Sequence, residues 1–176
     1  TFAAPLHGSR RGLRIAVTPD LGEAIEVDAE VAAVVGRSAD VLADAGAHVS
    51  DDAPDLAEGD DTFRTLRAWH LHAKLGALHA ANPGVLKKSL ADNIDLGATL
   101  SGADVARGYT QRTTLGERMR RWFEDHDLLV LPVSQVPPFP ADQEFPHEIN
   151  GEPLLTYLDW MRAAYLITVT GCPAIS

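Results

Sequence analysis

The residue pattern predicts an α/β fold, in which helices cover a sheet built from short strands, and three observations carry that expectation. Leu13, Ile15 and Val17 alternate with smaller or polar residues, as in a short strand. From Asp28 onward, Val31, Val34, Val35, Ser38, Leu42 and Ala45 recur at three- and four-residue spacing, the repeat of a helix with one buried face. Leu128-Leu129-Val130-Leu131 is a continuous apolar run, as in a strand covered on both faces. A strand followed by such a helix and a second strand makes the sheet parallel in that region.

The first strand closes at Pro19, and the helix from Asp28 is followed by Gly46, which suits a C′ position because glycine adopts positive φ without a Cβ clash. Ala47-His48-Val49 enters the second strand. Next come Asp51, Asp52, Pro54, Glu58, Gly59, Asp60 and Asp61, an acidic stretch rich in turn formers. It lacks the ligand spacing and terminal Glu of an EF-hand loop, so a solvated linker is expected. Residues Thr62 to Ala81 read as a helix with two apolar stripes, one of Phe63, Leu66, His70, Ala73 and Ala77 and one of Leu71, Leu75 and Leu78. Asn82-Pro83-Gly84 stops it, and a short helical segment is expected from Val85 to Ala91 before a mixed stretch to Leu100.

Ser101 and Asp104 form a capping box with Asp in place of the commoner Glu, which sets the start of a helix carrying Val105, Tyr109, Met119 and Phe123. Within it, Glu117 precedes Arg121 by four residues, a favourable order for an exposed pair. The apolar run at Leu128 is then expected as a central strand ending at Pro132. Proline donates no N–H, so Pro137-Pro138-Phe139-Pro140 cannot extend the ladder, and a long structured loop is expected through Ile149, Asn150 and Gly151. A final helix over about residues 154–167 presents Leu155, Leu158, Met161, Tyr165 and Leu166, ahead of an abrupt turn at Gly171-Cys172-Pro173.

Composition narrows the function. The net charge of −10 opposes polyanion binding, and the bases are not gathered: Arg10 and Arg11 stand beside Arg14, while Arg118, Arg120 and Arg121 sit near a helix end, where cations complement the dipole. No nucleic-acid partner is expected. Cys172 is the only cysteine, which excludes an intrachain disulfide and a Cys-rich zinc site and suits a reducing, cytoplasmic setting. The longest apolar run, around Tyr165 to Val169, is too short to span a bilayer, and no membrane association is expected. Thr1 stands where an initiator Met would be, and Pro173-Ala174-Ile175-Ser176 reads as the beginning of a strand. Neither end reads as natural, so residues 1–176 are expected to be part of a longer parent chain.

Reactive groups are few. His70 and His72 lie about 200° apart around a helix, and His79 lies about 13 Å along it from His70, so the three cannot grip one metal. Asp125, Asp127, Asp142, Glu144 and Asp159 show no spacing that identifies a general acid and base, and no GxxxxGK[ST] or GxGxxG motif cradles a phosphate. Cys172 reads as a small hydrophobe in a tight turn, with a Cys-His nucleophile as the alternative. Trp160 and Tyr165, on the helix that feeds the turn, read as core or as the wall of a substrate pocket.

Taken together, Leu128-Leu129-Val130-Leu131-Pro132, the Pro-rich loop, Tyr157, Trp160 and the ending Thr170-Gly171-Cys172-Pro173-Ala174-Ile175-Ser176 resemble the later part of amidase-signature enzymes. Leu13-Arg14-Ile15-Ala16-Val17, Pro19-Asp20-Leu21-Gly22, the Asp28 helix and Ala45-Gly46-Ala47 are similar to the segment that follows that family's catalytic core, so the resemblance spans nearly the whole chain. One departure is Thr168, where many relatives carry Asn.

The resemblance implies an α/β architecture with a mixed central sheet flanked by helices, of which residues 1–176 would be the C-terminal-side portion of a single larger domain. It also implies amide hydrolysis through an acyl-enzyme, by a serine nucleophile, a second serine with a cis peptide and a lysine, all in an earlier Gly/Ser-rich region. This chain has no Gly-Gly or Ser-Ser pair, so no catalytic residue is assigned within it. It further implies a small-molecule amide substrate, no metal or organic cofactor, and a partner in the remainder of the parent chain; a homo-oligomer is left open. Trp160, Met161, Thr170, Gly171 and Cys172 are the implied pocket residues. Relatives acting on glutamine carry Asp near the position of Met161, so a glutaminase subunit of a transamidating complex is the alternative enzyme, and a non-catalytic α/β binding domain the alternative class.

Overall fold

A parallel three-stranded sheet of order β2-β1-β3 organises the protein, with β1 (Arg14–Val17) between β2 (His48–Ser50) and β3 (Leu128–Val130). The computed structural model describes residues 12–176, so the basic start with Arg10 and Arg11 lies outside the described residues. Ile15 stands opposite Val49 on one side and Leu128 on the other, and Ile15, Ala16 and Val17 are all buried. The strand expected to be central, β3, is an edge among the described strands, with Leu128 48% exposed. An apolar run records which faces a strand can bury; it does not record the strand's position in the sheet. Arg14 ties the two chain segments together, donating to the Asp127 carboxylate at 2.9 Å and to the Glu124 carbonyl at 2.8 Å.

The crossover between β1 and β2 is α1 (Ala29–Asp44), started by Asp28, whose carboxylate accepts the Glu30 N–H at 2.8 Å. Gly46 follows it at φ +93°, as a C′ glycine should. α2 (Gly59–Ala81) begins before Thr62, so Gly59, Asp60 and Asp61 belong to its first turn and not to a linker. Only its first half is buried, through Thr62, Thr65, Leu66 and Ala68; His70, Ala73 and Ala77 are exposed. Beyond Ala68 the two stripes are only partly covered, with Leu71 and Leu75 half-buried and Leu78 exposed. There the neighbour is α3 (Lys88–Thr99), with His79 Nε2 at 3.3 Å from Asp95.

α3 absorbs both the short helical segment and the mixed stretch after it, because its buried residues are only Ile94 and Gly97 and leave little periodic signal. Gly97 permits the close crossing of α2 and α3: a Cβ there would lie 2.1 Å from the Ala68 carbonyl oxygen. α4 (Gly102–Trp122) starts at the expected capping box, with the Asp104 N–H donating to Ser101 Oγ and the Ser101 N–H donating to Asp104 Oδ2. Glu117 on α4 meets Arg120 and Arg121, and the two guanidiniums hold its carboxyl down at about 2.

After β3 the expected loop contains a hairpin, β4 (Glu148–Ile149) and β5 (Glu152–Pro153). Asn150 at φ +53° and Gly151 at φ +85° turn it, the pairing that two-residue hairpins of this twist require. The Asn150 side chain donates to the Val27 carbonyl at 2.9 Å and docks the hairpin on the segment leading into α1. The last helix is preceded by a 3₁₀ turn (Asp159–Met161), and α5 runs Arg162–Thr170, later than the apolar face alone suggested. α5 is the most enclosed of the helices. Ala163, Tyr165, Leu166 and Val169 are buried with Leu21, Ile25, Leu115 and Met119 in the core. Among the described residues no helix is long and apolar enough to cross a membrane.

The glycines supply a test of opposite signs. Gly97→Ala is expected to destabilise the protein by about 1–3 kcal/mol, since a buried backbone contact must open. Gly36→Ala, in α1 with open space around it, is expected to stabilise by about 0.5–1 kcal/mol. Urea unfolding of both variants checks this, and equal effects would contradict the close crossing.

Candidate functional site

The polar interior gathers where α2 meets the front of α5. Arg64, one turn into α2, donates from Nε to Asp60 Oδ2 at 2.9 Å and from Nη2 to Asp159 Oδ1 at 2.6 Å. Its Nη1 also reaches Thr156 Oγ1 at 3.2 Å. The second oxygen of Asp159 accepts the N–H groups of Leu155 and Thr156, at 2.9 and 2.7 Å. Tyr165, on α5, donates its hydroxyl to Asp60 and stacks on Phe63 with ring centroids 4.3 Å apart. Arg162 approaches Asp60 at 3.7 Å. Two cations thus face two carboxylates.

Each group responds to that setting. Burial and the bond to Asp60 both push the Tyr165 hydroxyl up, so it stays protonated. Burial opposes the charge on Arg64, but its bonds to Asp60 and Asp159 outweigh it and raise the guanidinium further. For Asp159, burial pushes upward, while Arg64 and Thr156 win and hold the carboxyl below the usual range.

A cavity of about 820 Å³ opens beside this network, at the carboxyl ends of β1 and β2. Its walls are residues 20–24, residues 51–58, Asp60, Arg162 and Leu166. It lies on the side of the sheet, outside the strands' carboxyl ends, where open parallel sheets bind ligands, but beside β1 and β2 and not at the β1–β3 position where the strand order reverses. Most of its carboxylates are already engaged: Asp52 accepts from Trp122 Nε1 at 3.2 Å and faces His126 at 3.2 Å, and Glu58 pairs with Arg118 at 2.8 Å. Among the described residues, no serine, threonine, cysteine or lysine lines it, and its ionisable groups are carboxylates and Arg162. Much of the acidic stretch expected as a solvated linker lines this cavity, with Asp51, Asp52, Asp55 and Glu58 exposed.

The pocket residues implied by the sequence fall into two groups. Trp160 and Met161 sit together in the 3₁₀ turn; Thr170, Gly171 and Cys172 sit together at the far end of α5, about 13 Å away along the helix. Neither group lines the 820 Å³ cavity. Trp160 packs edge-on to Phe139 and Tyr157, with centroids 5.4 and 6.0 Å away. Its enclosed indole N–H has no hydrogen-bond partner among the described residues.

Met161 and Cys172 pack against the core, and Thr170 Oγ1 donates to the Ile167 carbonyl and accepts the Cys172 N–H. Gly171 adopts φ +79°, as the turn requires. Asp60, Arg64 and Asp159 were the residues the sequence pattern did not bring together. The i,i+4 spacing of Asp60 and Arg64 was the one visible signal. Among the described residues, no group of three or more His, Cys, Asp and Glu side chains could hold a metal ion.

Comparison with known proteins adds the following. The family model described as Amidase matches residues 1–176. No curated protein matches. Among solved structures, a bacterial aryl acylamidase of the amidase-signature family is similar at 26% identity and TM-score 0.78, over 93% of this chain and 36% of that one. A structure described as an amidase is 18% identical with TM-score 0.81, over 95% and 38% of the two chains. A 6-aminohexanoate cyclic dimer hydrolase complexed with substrate is 17% identical with TM-score 0.72, over 97% and 40%. At those two identities the likeness concerns the fold. The chain spans less than half the length of each of these structures.

The depressed Asp159 sets a pH dependence. Its contribution is complete above the ordinary carboxyl value, about pH 4, and is lost as pH falls through the lower folded value. Asp159→Asn is expected to lower stability at pH 7, with the gap from the parent protein narrowing below about pH 4. Urea midpoints for both proteins across that range check it, and a gap independent of pH would exclude the ionised carboxylate as the stabilising group.

Proposed function

Because the chain belongs to the amidase family, we propose that the whole protein hydrolyses a carboxylic amide and that these residues supply scaffold and part of the acyl pocket. The family match across residues 1–176 carries the reading. The similarity to a bacterial aryl acylamidase supports it. Residues 1–176 would be one portion of a single larger domain, a reading supported by their 36–40% share of the similar structures.

The chemistry follows the resemblance given above. A lysine-activated serine outside this portion attacks the amide carbonyl, forming an acyl–oxygen bond, and the amine or ammonia departs with a proton. Water then cleaves the ester to release the carboxylate and restore the serine. Backbone donors stabilise the oxyanion in both steps. None of the residues present here is assigned a step in bond making or breaking.

Their role is selection. A small acyl group cannot touch both ends of α5 at once, so Trp160 and Met161 are assigned to the acyl group, and Thr170, Gly171 and Cys172 would meet only a substrate long enough to reach the far end of the helix. An apolar wall at Met161 favours a neutral acyl group, because an ammonium buried there would lack a counter-charge. A reducing, cytoplasmic setting is proposed with this, supported by Cys172 being the only cysteine.

Two measurements test the reading. The isolated 176-residue chain is expected to show no turnover on primary aliphatic and aromatic amides that the whole protein cleaves; full turnover by the isolated chain would refute the division of labour. In the whole protein, Met161→Asp is expected to lower kcat/KM for neutral amides about tenfold or more, with less effect on an ammonium-bearing amide. His70→Ala should leave that preference unchanged, since His70 is exposed on α2 with Nδ1 bonded to the Leu66 carbonyl. A shift from His70→Ala but not from Met161→Asp would reverse the assignment, and efficient glutamine hydrolysis would favour the glutaminase alternative.

A further inference from the structure

We propose that Arg64 is a positioning residue for substrate selection: its guanidinium clamps Asp159, and thereby fixes the adjoining Trp160-Met161 turn against α2. The inference rests on the assignment of that turn to the acyl group. Asp159 is the first residue of the 3₁₀ turn, and Trp160 and Met161 are the next two. Its carboxylate is held from both sides. One oxygen takes Arg64 Nη2 at 2.6 Å, and the other takes the backbone N–H groups of Leu155 and Thr156.

At the far side of the turn, Gln135 Oε1 accepts the Arg162 N–H at 2.6 Å. Trp160 and Met161 therefore lie between two fixed points. The Arg64 end of this arrangement depends on fork geometry as well as charge. Nε serves Asp60 on α2 while Nη2 serves Asp159 on the turn, so one planar group sets the spacing between the two elements. A lysine ammonium keeps the charge but lacks the rigid fork. Asp60 is also held by Tyr165, which anchors the α2 side of the clamp to the core. Loss of the fork should let the turn shift relative to α2, and displacements near 1 Å are enough to change how a substrate is accepted.

The test uses the whole protein and two probes, acetyl- and hexanoyl-p-nitroanilide, with hydrogen exchange followed by mass spectrometry as a readout independent of activity. For Arg64→Lys, peptides covering residues 154–162 should exchange faster while those from residues 108–120 of α4 stay at the parent rate. The hexanoyl-to-acetyl ratio of KM should move about tenfold, with kcat for the acetyl probe within about twofold. Arg64→Gln serves as a second variant, since it also removes the fork and is expected to act in the same direction.

Parent-rate exchange over residues 154–162 in both variants would overturn the clamp. Faster exchange with an unchanged KM ratio, while Trp160→Leu changes that ratio, would overturn the role in selection. If Trp160→Leu and Met161→Ala leave the ratio unchanged, the pocket assignment itself is wrong. If the whole protein cleaves neither probe nor any other amide, the amidase reading fails and hydrogen exchange alone decides whether Arg64 fixes the turn.

Discussion

Arg64 brings a positive charge into the junction of α2, the 3₁₀ turn and α5, and that charge must be answered locally because the site is partly withdrawn from water. Asp60 and Asp159 answer it, and the arrangement of the surrounding elements follows from the need to meet both. Asp60 comes from the same helix, so its distance is set by the helix repeat. Asp159 comes from a segment 95 residues away, so its approach decides where the turn ahead of α5 can lie. Removing one partner from such a group is costly because a buried charge is left uncompensated. The ion pairs on the outside of the fold carry less weight. Lys88–Asp92 and Arg120–Glu124 are solvent-exposed pairs of a kind worth about 0–1 kcal/mol.

Much of the fold was legible in local patterns. The capping box at Ser101 and Asp104, the Gly46 and Gly171 turns and the β1–α1–β2 crossover each follow from residue chemistry at short range, and each stands where that chemistry put it. The errors have a common source. The start of α3, the late start of α5 and the edge position of β3 all depend on what lies across from the segment. The apolar run from Leu128 gave no information about strands beyond it, and the apolar face from Leu154 gave none about Asp159 using the Leu155 and Thr156 N–H groups for a turn. The Asn150-Gly151 hairpin is different, because its turn signal is local, an Asn-Gly pair that lies within the long loop after the proline-rich stretch.

The site divides along the same line. Trp160, Met161 and the Thr170-Gly171-Cys172 turn could be named from a linear motif, and the structure places them at opposite ends of one helix. The cavity wall and the Arg64 network could not, because their members come from segments separated by about a hundred residues. Asp51, Asp52, Asp55, Glu58 and Asp61 face solvent, as acidic residues beside Pro and Gly usually do. What local pattern could not supply were their remote partners: Arg118 for Glu58, Trp122 and His126 for Asp52, and Tyr165 for Asp60.

α5 shows why such remote partners matter for a family-like site. At nine residues it is too short to hold itself in water, where isolated helices below about 12–15 residues are marginal. It is secured at both ends from elsewhere. Gln135, 1% exposed, accepts the N–H groups of Arg162 and Ala163 and donates to the Glu26 carbonyl, while Arg112 Nε donates to the Val169 carbonyl before Gly171 turns the chain. Thr168 lies on the exposed face of the helix, and its hydroxyl bonds back to the Ala164 carbonyl within the same helix. It therefore takes no part in fixing either end of α5, because the groups that position those ends lie on α4 and in the strand-to-hairpin segment.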